Sequence, residues 1–199
     1  PSQWELQGFG EYNYGRWYKK KGVKNPSMEE GIYRHTFRVP EDWRGKNIRL
    51  WFDGVMTDTD VIVNGVSAGE THRGGFYRFS YDITSLLKYG AANKLEVRVK
   101  KHSGNKSVNA AERKADWWLF GGIYRPVWLE AKPQIRIEHI AVDAKMDGEM
   151  QLYTELKGVK GKEKLTAALH PLDGTDVCSE VRMWEVGHDG VFAHIWKNV

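Results

Sequence analysis

A chain of 199 residues, 41% hydrophobic and 28% charged, has an ordinary globular composition and can bury a core as one large or two modest domains. Its net charge of +4, from 30 basic and 26 acidic residues, is spread along strand-like alternations, which argues against a dedicated nucleic-acid surface; the one dense run, Lys19-Lys20-Lys21, falls in an expected loop. Cys178 is the single cysteine, so no intrachain disulfide can form, and no apolar run reaches the roughly 20 residues of a membrane span.

The first 18 residues crowd six rings together: Trp4, Phe9, Tyr12, Tyr14, Trp17 and Tyr18. Such rings either plug one end of a sandwich or offer flat faces to the C–H face of a sugar, whose hydroxyls then want polar partners such as Asn13, Arg16 and Asp116. From Gly31 to Pro40 the residues alternate in period two, with Tyr33, His35, Phe37 and Val39 on one side, and from Asn47 to Asp53 Ile48, Leu50 and Phe52 do the same. Val61-Ile62-Val63 runs into Asn64-Gly65, the strongest short hairpin signal, because both turn positions need positive φ. Phe76 to Tyr81 reads as an aromatic strand and Asp82 to Leu87 as a brief turn. Leu95, Val97 and Val99 alternate with Glu96, Arg98 and Lys100 as a half-buried antiparallel strand does. A last strand is predicted over Ile123 to Ala131.

Lys132-Pro133 marks a break between a first domain, 1–132, and a second, 133–199. The second keeps only two of the nine tryptophans and predicts strands at 135–144, 150–156, 165–169 and 191–196, with turns at Asp147-Gly148, Asp173-Gly174 and Asp189-Gly190. Short strands without long amphipathic helices predict an all-β chain of sandwiches. The second domain looks immunoglobulin-like but has about two thirds of the ~100 residues such a domain needs, so the chain is expected to be a fragment of something longer.

The chemistry-bearing motifs are few. No Gly-x-Ser-x-Gly elbow occurs, Cys178 has no histidine near it, and His188 and His194 are six apart, on neither strand nor helix ligand spacing. Gly8-Phe9-Gly10 lacks the strand-then-helix context of a phosphate loop. Acids are more suggestive: Asp53, Asp58 and Asp60 bracket Gly54-Val55-Met56-Thr57, which fits turn capping, while Glu112 and Asp116 stand four apart before Trp117-Trp118. Asp116 opens the richest stretch of the chain, Asp116 to Leu129, where acid, indoles, a glycine pair and Arg125 sit together. It is read either as a turn cap or as a ligand for sugar hydroxyls.

Five segments in order resemble glycoside hydrolase family 2, the β-galactosidase, β-glucuronidase and β-mannosidase group. They are Pro1-Ser2-Gln3-Trp4-Glu5 to Gly8, Gly31-Ile32-Tyr33-Arg34, Phe52-Asp53-Gly54-Val55 with Asp60 to Gly65, Gly75-Phe76-Tyr77 to Asp82-Ile83-Thr84, and Asp116-x-Trp118 with Gly122-Ile123-Tyr124-Arg125. The resemblance implies a jelly-roll sugar-binding domain, an immunoglobulin-like domain and then a TIM barrel that carries two catalytic glutamates and cleaves β-glycosides with retention. The fragment is then non-catalytic: Glu5, Glu11 and Glu112 do not inherit those roles, and the isolated chain is expected to be inactive.

In galactosidase-like members the acid at the position of Asp116 touches the sugar, and Trp118 holds the family tryptophan. The Arg that often comes next is Leu119 here. Asn13 or Arg16 stands where a second family contact arises. The substrate-binding set is thus Asp116, Trp118, Asn13 and Arg16, with no catalytic residue, metal or cofactor expected in this chain. The implied partner is a β-galactoside or related β-glycoside bound by the full-length enzyme, with no nucleic acid and no membrane span; an oligomer and a periplasmic, extracellular or cytoplasmic setting all stay open. The competing readings are a free-standing carbohydrate-binding module and a purely structural scaffold.

Overall fold

A computed structural model describes residues 2–10, 13–14, 29–114, 116–161, 163–170 and 180–196. The chain divides into two compact units, Pro1–Ala131 and Lys132–Val199. Lys19-Lys20-Lys21, Arg16, Tyr12, Trp17, Tyr18 and the Asp173-Gly174 turn lie outside the described residues.

In the first unit the strands are β1 (Asn13–Tyr14), β2 (Glu30–Arg38), β3 (Asn47–Phe52), β4 (Val55–Met56), β5 (Asp58–Val63), β6 (Val66–Ser67), β7 (Phe79–Asp82), β8 (Ala92–Lys100), β9 (Trp118–Leu119), β10 (Gly122–Ile123) and β11 (Val127–Lys132). A four-stranded sheet runs β2-β8-β5-β6, a three-stranded one β11-β3-β7, and the short pairs β1-β9 and β10-β4 stand beside them. The alternation seen in the sequence decides which faces meet. Ile48, Leu50 and Phe52 of β3 are buried against Val61 and Val63 of β5 and Val97 and Val99 of β8, with Trp4, Val55, Ile83 and Ile123 completing one core. Phe52 is fully buried and stacks on Phe79, centroids 5.0 Å apart at 6°. The Asn64-Gly65 turn has φ of 53° and 86°, the double positive φ its sequence demands, and joins β5 to β6.

Three expectations shift. The aromatic strand begins at Phe79, so Phe76 and Tyr77 lie in a bend and are exposed. The expected strand over 123–131 is broken into β10 and β11 at Tyr124–Pro126, where Pro126 has no N–H for a ladder and its carbonyl accepts from Asp53 N at 3.0 Å. Asp53, Asp58 and Asp60, expected to cap the turn they bracket, bond instead to residues outside 54–57. Asp53 meets Arg78 at 2.7 Å, Asp58 accepts from Gly104 N at 2.7 Å, and Asp60 accepts from Thr71 at 2.5 Å.

The second unit holds β12 (Arg136–Ala144), β13 (Met150–Lys157), β14 (Glu163–Leu169), β15 (Glu180–Val186) and β16 (Gly190–Trp196), in sheets β12-β13-β16 and β14-β15. Leu156, Leu165 and Val186 form its core with Trp184 and Phe192. The fold is all-β, as expected, and among the described residues no helix is long and apolar enough to cross a membrane. Truncating Phe52 removes a stacked, fully buried ring, so Phe52→Ala is expected to cost about 3–5 kcal/mol in urea unfolding monitored by fluorescence; a loss below about 1 kcal/mol would contradict this core.

Candidate functional site

The segment 116–125 is built outward from a buried charge. Glu5 ends up inside because Trp4, in a 3-10 turn over Trp4–Gln7, is packed into the core. Both Glu5 carboxylate oxygens accept from Gly121 N, each at 3.1 Å, and Lys101 Nζ lies 2.7 Å from Oε1. Neither side chain has any exposed surface. Lys101 also reaches Glu29 at 3.1 Å, and Glu29 accepts from Trp4 Nε1 at 3.2 Å. Trp4 N in turn donates to Gly121 O at 3.2 Å, so both backbone groups of Gly121 are held.

The glycine pair is there for contact and conformation. A Cβ on Gly31 or Gly121 would press into the Trp4 ring and one on Gly122 into the Tyr33 hydroxyl, and Gly122 has φ of 103°, open to glycine alone at little strain. Beyond it, Tyr33 Oη accepts from Ile123 N at 3.2 Å, and burial pushes the Tyr33 phenol up. Tyr124 Oη donates to Gly75 O at 2.6 Å; its phenol is also raised, mainly by burial.

On this frame the residues singled out from sequence divide. Asp116 is exposed, followed by Trp117 and Trp118 at 42% and 45% exposure. Leu119 is fully buried, so an apolar side chain suits an inward strand position. Strand β1 pairs with β9 in the register Asn13↔Leu119 and Tyr14↔Trp118. The backbone of Asn13 is therefore brought beside the Asp116–Trp118 segment, while Arg16 lies outside the described residues. Trp4 takes the core role rather than the ligand role.

Glu112 does not share a face with Asp116. The helical turns over Lys106–Val108 and Asn109–Arg113 end before Asp116, and Glu112 is buried with its carboxylate accepting from Gly75 N at 2.8 Å. Arg113, 2% exposed, donates to Phe120 O at 2.9 Å. His72, stacked on Phe79, has its pKa lowered by burial. Sequence reasoning missed Lys101, although the signal was present: the inward alternation Leu95, Val97, Val99 continues in register to position 101.

Clefts open elsewhere, among them one of about 470 Å³ lined by Tyr33, Phe37, Leu50 and Leu129 and another of about 360 Å³ beside Trp4 and Phe9. Neither includes Asp116 or Trp118. Among the described residues no group of three or more His, Cys, Asp or Glu could hold a metal ion.

The sequence profile of glycosyl hydrolases family 2, sugar binding domain, matches residues 1–133. The chain belongs to glycosyl hydrolase family 2. It is 36% identical over 156 residues to a β-galactosidase of Thermoanaerobacter pseudethanolicus, covering 75% of this chain and 20% of that protein. It is 34% identical over 131 residues to a β-glucuronidase of Bacteroides fragilis, covering 65% and 16%. A solved Bacteroides uniformis β-glucuronidase 2, covalently bound to cyclophellitol-6-carboxylate aziridine, superposes with TM-score 0.68 at 23% identity over 99% of this chain and 23% of that one, a likeness of fold. The chain thus spans about a fifth or less of the length of these curated relatives.

In this family 2 domain Lys101→Met would leave the Glu5 carboxylate buried without its cation. It is expected to cost about 3–5 kcal/mol, with part recovered in Glu5→Gln/Lys101→Met, where no charge of the pair is left behind. Equal stability of Lys101→Met and wild type in denaturant titration would contradict the clamp.

Proposed function

We propose that the chain is the N-terminal, non-catalytic part of a retaining exo-β-glycosidase, most like a β-galactosidase. It supports the catalytic barrel and lends one wall to its sugar pocket. The observation that carries the reading is the exposure of Asp116 beside two exposed indoles, on a segment anchored from below by buried charge. A carboxylate with water access accepts from sugar hydroxyls, and an indole face covers the sugar's C–H surface.

A half-site gives little affinity alone, because on this reading the wall that orients the sugar and excludes water belongs to the barrel. This favours a pocket shared with a barrel over a free-standing binding module. The family's sugar-binding domain and relatives bearing both β-galactosidase and β-glucuronidase names support a β-glycoside as substrate. Asn13, through its strand pairing, and Arg16, from the resemblance, are further contributors to the pocket, with Trp118 as a stacking face.

In the whole enzyme, Asp116→Ala is expected to lower kcat/KM by about tenfold or more, the loss of a hydrogen bond to a charged group, with the melting temperature unchanged. Unaltered kinetics would remove Asp116 from the pocket.

A further inference from the structure

Two exposed aromatic stretches meet without being neighbours in sequence: the bend at Gly74–Tyr77 and the run Trp117–Trp118 that follows Asp116. Phe76, 46% exposed, and Trp117, 42% exposed, meet edge to face with centroids 6.1 Å apart at 90°. Neither ring is buried enough to be held by packing, so their mutual geometry needs another source.

That source is one residue. Glu112 is 8% exposed, and its Oε2 accepts from Gly75 N at 2.8 Å, fixing the residue before Phe76. The main-chain carbonyl of the same Glu112 accepts from Trp117 Nε1 at 3.2 Å, fixing the other ring. Gly75 is gripped from its opposite side by the Tyr124 hydroxyl, which donates to Gly75 O at 2.6 Å. A Cβ on Gly75 would sit tightly against Met56 Cγ at 3.1 Å and the Glu112 carboxylate at 3.4 Å. A carboxylate accepting a main-chain N–H makes a charge-assisted bond, about twice as strong as a neutral one.

We infer that Glu112 is a positioning residue for the sugar pocket: it brackets the Phe76 bend to the Trp117 run and so sets the aromatic flank against which Asp116 presents its carboxylate. The role rests on Asp116 being a sugar contact, as proposed for the pocket. Glu112 has no contact with substrate in this role. Its effect passes through Gly75, Phe76 and Trp117, so substrate binding should suffer more than the chemical step.

Two readouts test it in the whole enzyme, with p-nitrophenyl β-galactoside as the probe and the β-glucuronide if the galactoside is not cleaved. Glu112→Ala is expected to raise KM about tenfold with kcat changed less than about threefold, whereas Glu112→Gln, which keeps an acceptor for Gly75 N, stays within about twofold of wild type. Hydrogen exchange by mass spectrometry, which needs no activity, should show faster exchange in the 73–79 peptide for Glu112→Ala but not for Glu112→Gln. Should Glu112→Ala fail to fold, Tyr124→Phe keeps the ring, frees Gly75 O and is expected to raise KM in the same direction. Wild-type exchange at 73–79 in Glu112→Ala would overturn the inference. So would a Glu112→Gln as impaired as Glu112→Ala, or an unchanged KM in a background where Asp116→Ala is damaging. If Asp116→Ala is itself silent, the pocket reading fails instead, and the exchange result alone decides the bracket.

Discussion

A carboxylate withdrawn from water costs several kcal/mol unless charge and hydrogen bonds replace its hydration. Glu5 meets that condition through Lys101 Nζ at 2.7 Å and Gly121 N, shared by both oxygens at 3.1 Å. The three residues come from the chain's start, the end of β8 and the loop that leads into β10. Because the charge is tolerable inside only when both partners are in place, the ion pair ties distant segments into one arrangement. In that arrangement the glycines at 121–122 lie close against Trp4. Past them, the bonds of Tyr33 to Ile123 and of Tyr124 to Gly75 then fall into register.

The functional consequence is a division of labour within one short stretch. Leu119 and Ile123 point into the core, while Asp116, Trp117 and Trp118 are exposed. Burying the first set stabilises the domain; leaving the second set in water costs the exposure of two indoles, which a folded domain rarely does without a use for them. On the proposed reading such a use exists, because a pocket walled by this domain would position the sugar without asking the barrel to supply every contact.

Much of this was legible in the residues. Period-two alternation gave β2, β3 and β8 their inward faces, and Asn64-Gly65 gave the hairpin. Where the pattern misled, competing physics can be named. Phe76 and Tyr77 have strand-forming rings, yet Gly75 is held by Glu112 and Tyr124 and the strand starts only at Phe79. Strand β15 escaped notice because Met183 and Trp184 are adjacent, which breaks the alternation. At the site, Asp116 and Trp118 stood out by their motif, but the buried partners did not. Lys101 continues the inward alternation of β8 but Glu112 carries no such signal, and for both only three-dimensional neighbours reveal why a charge is inside. Arg16 lies outside the described residues, and for Asn13 only the backbone pairing bears on its role.

The central claim is that buried charge holds an exposed carboxylate where a sugar binds. Its most direct test is a crystal structure of the whole polypeptide with a β-galactoside or β-glucuronide inhibitor in place. An Asp116 oxygen is then expected about 2.7–2.8 Å from a sugar hydroxyl, with the Glu5–Lys101 pair intact beneath it. A sugar bound with Asp116 facing bulk solvent, beyond reach even through one water, would contradict it.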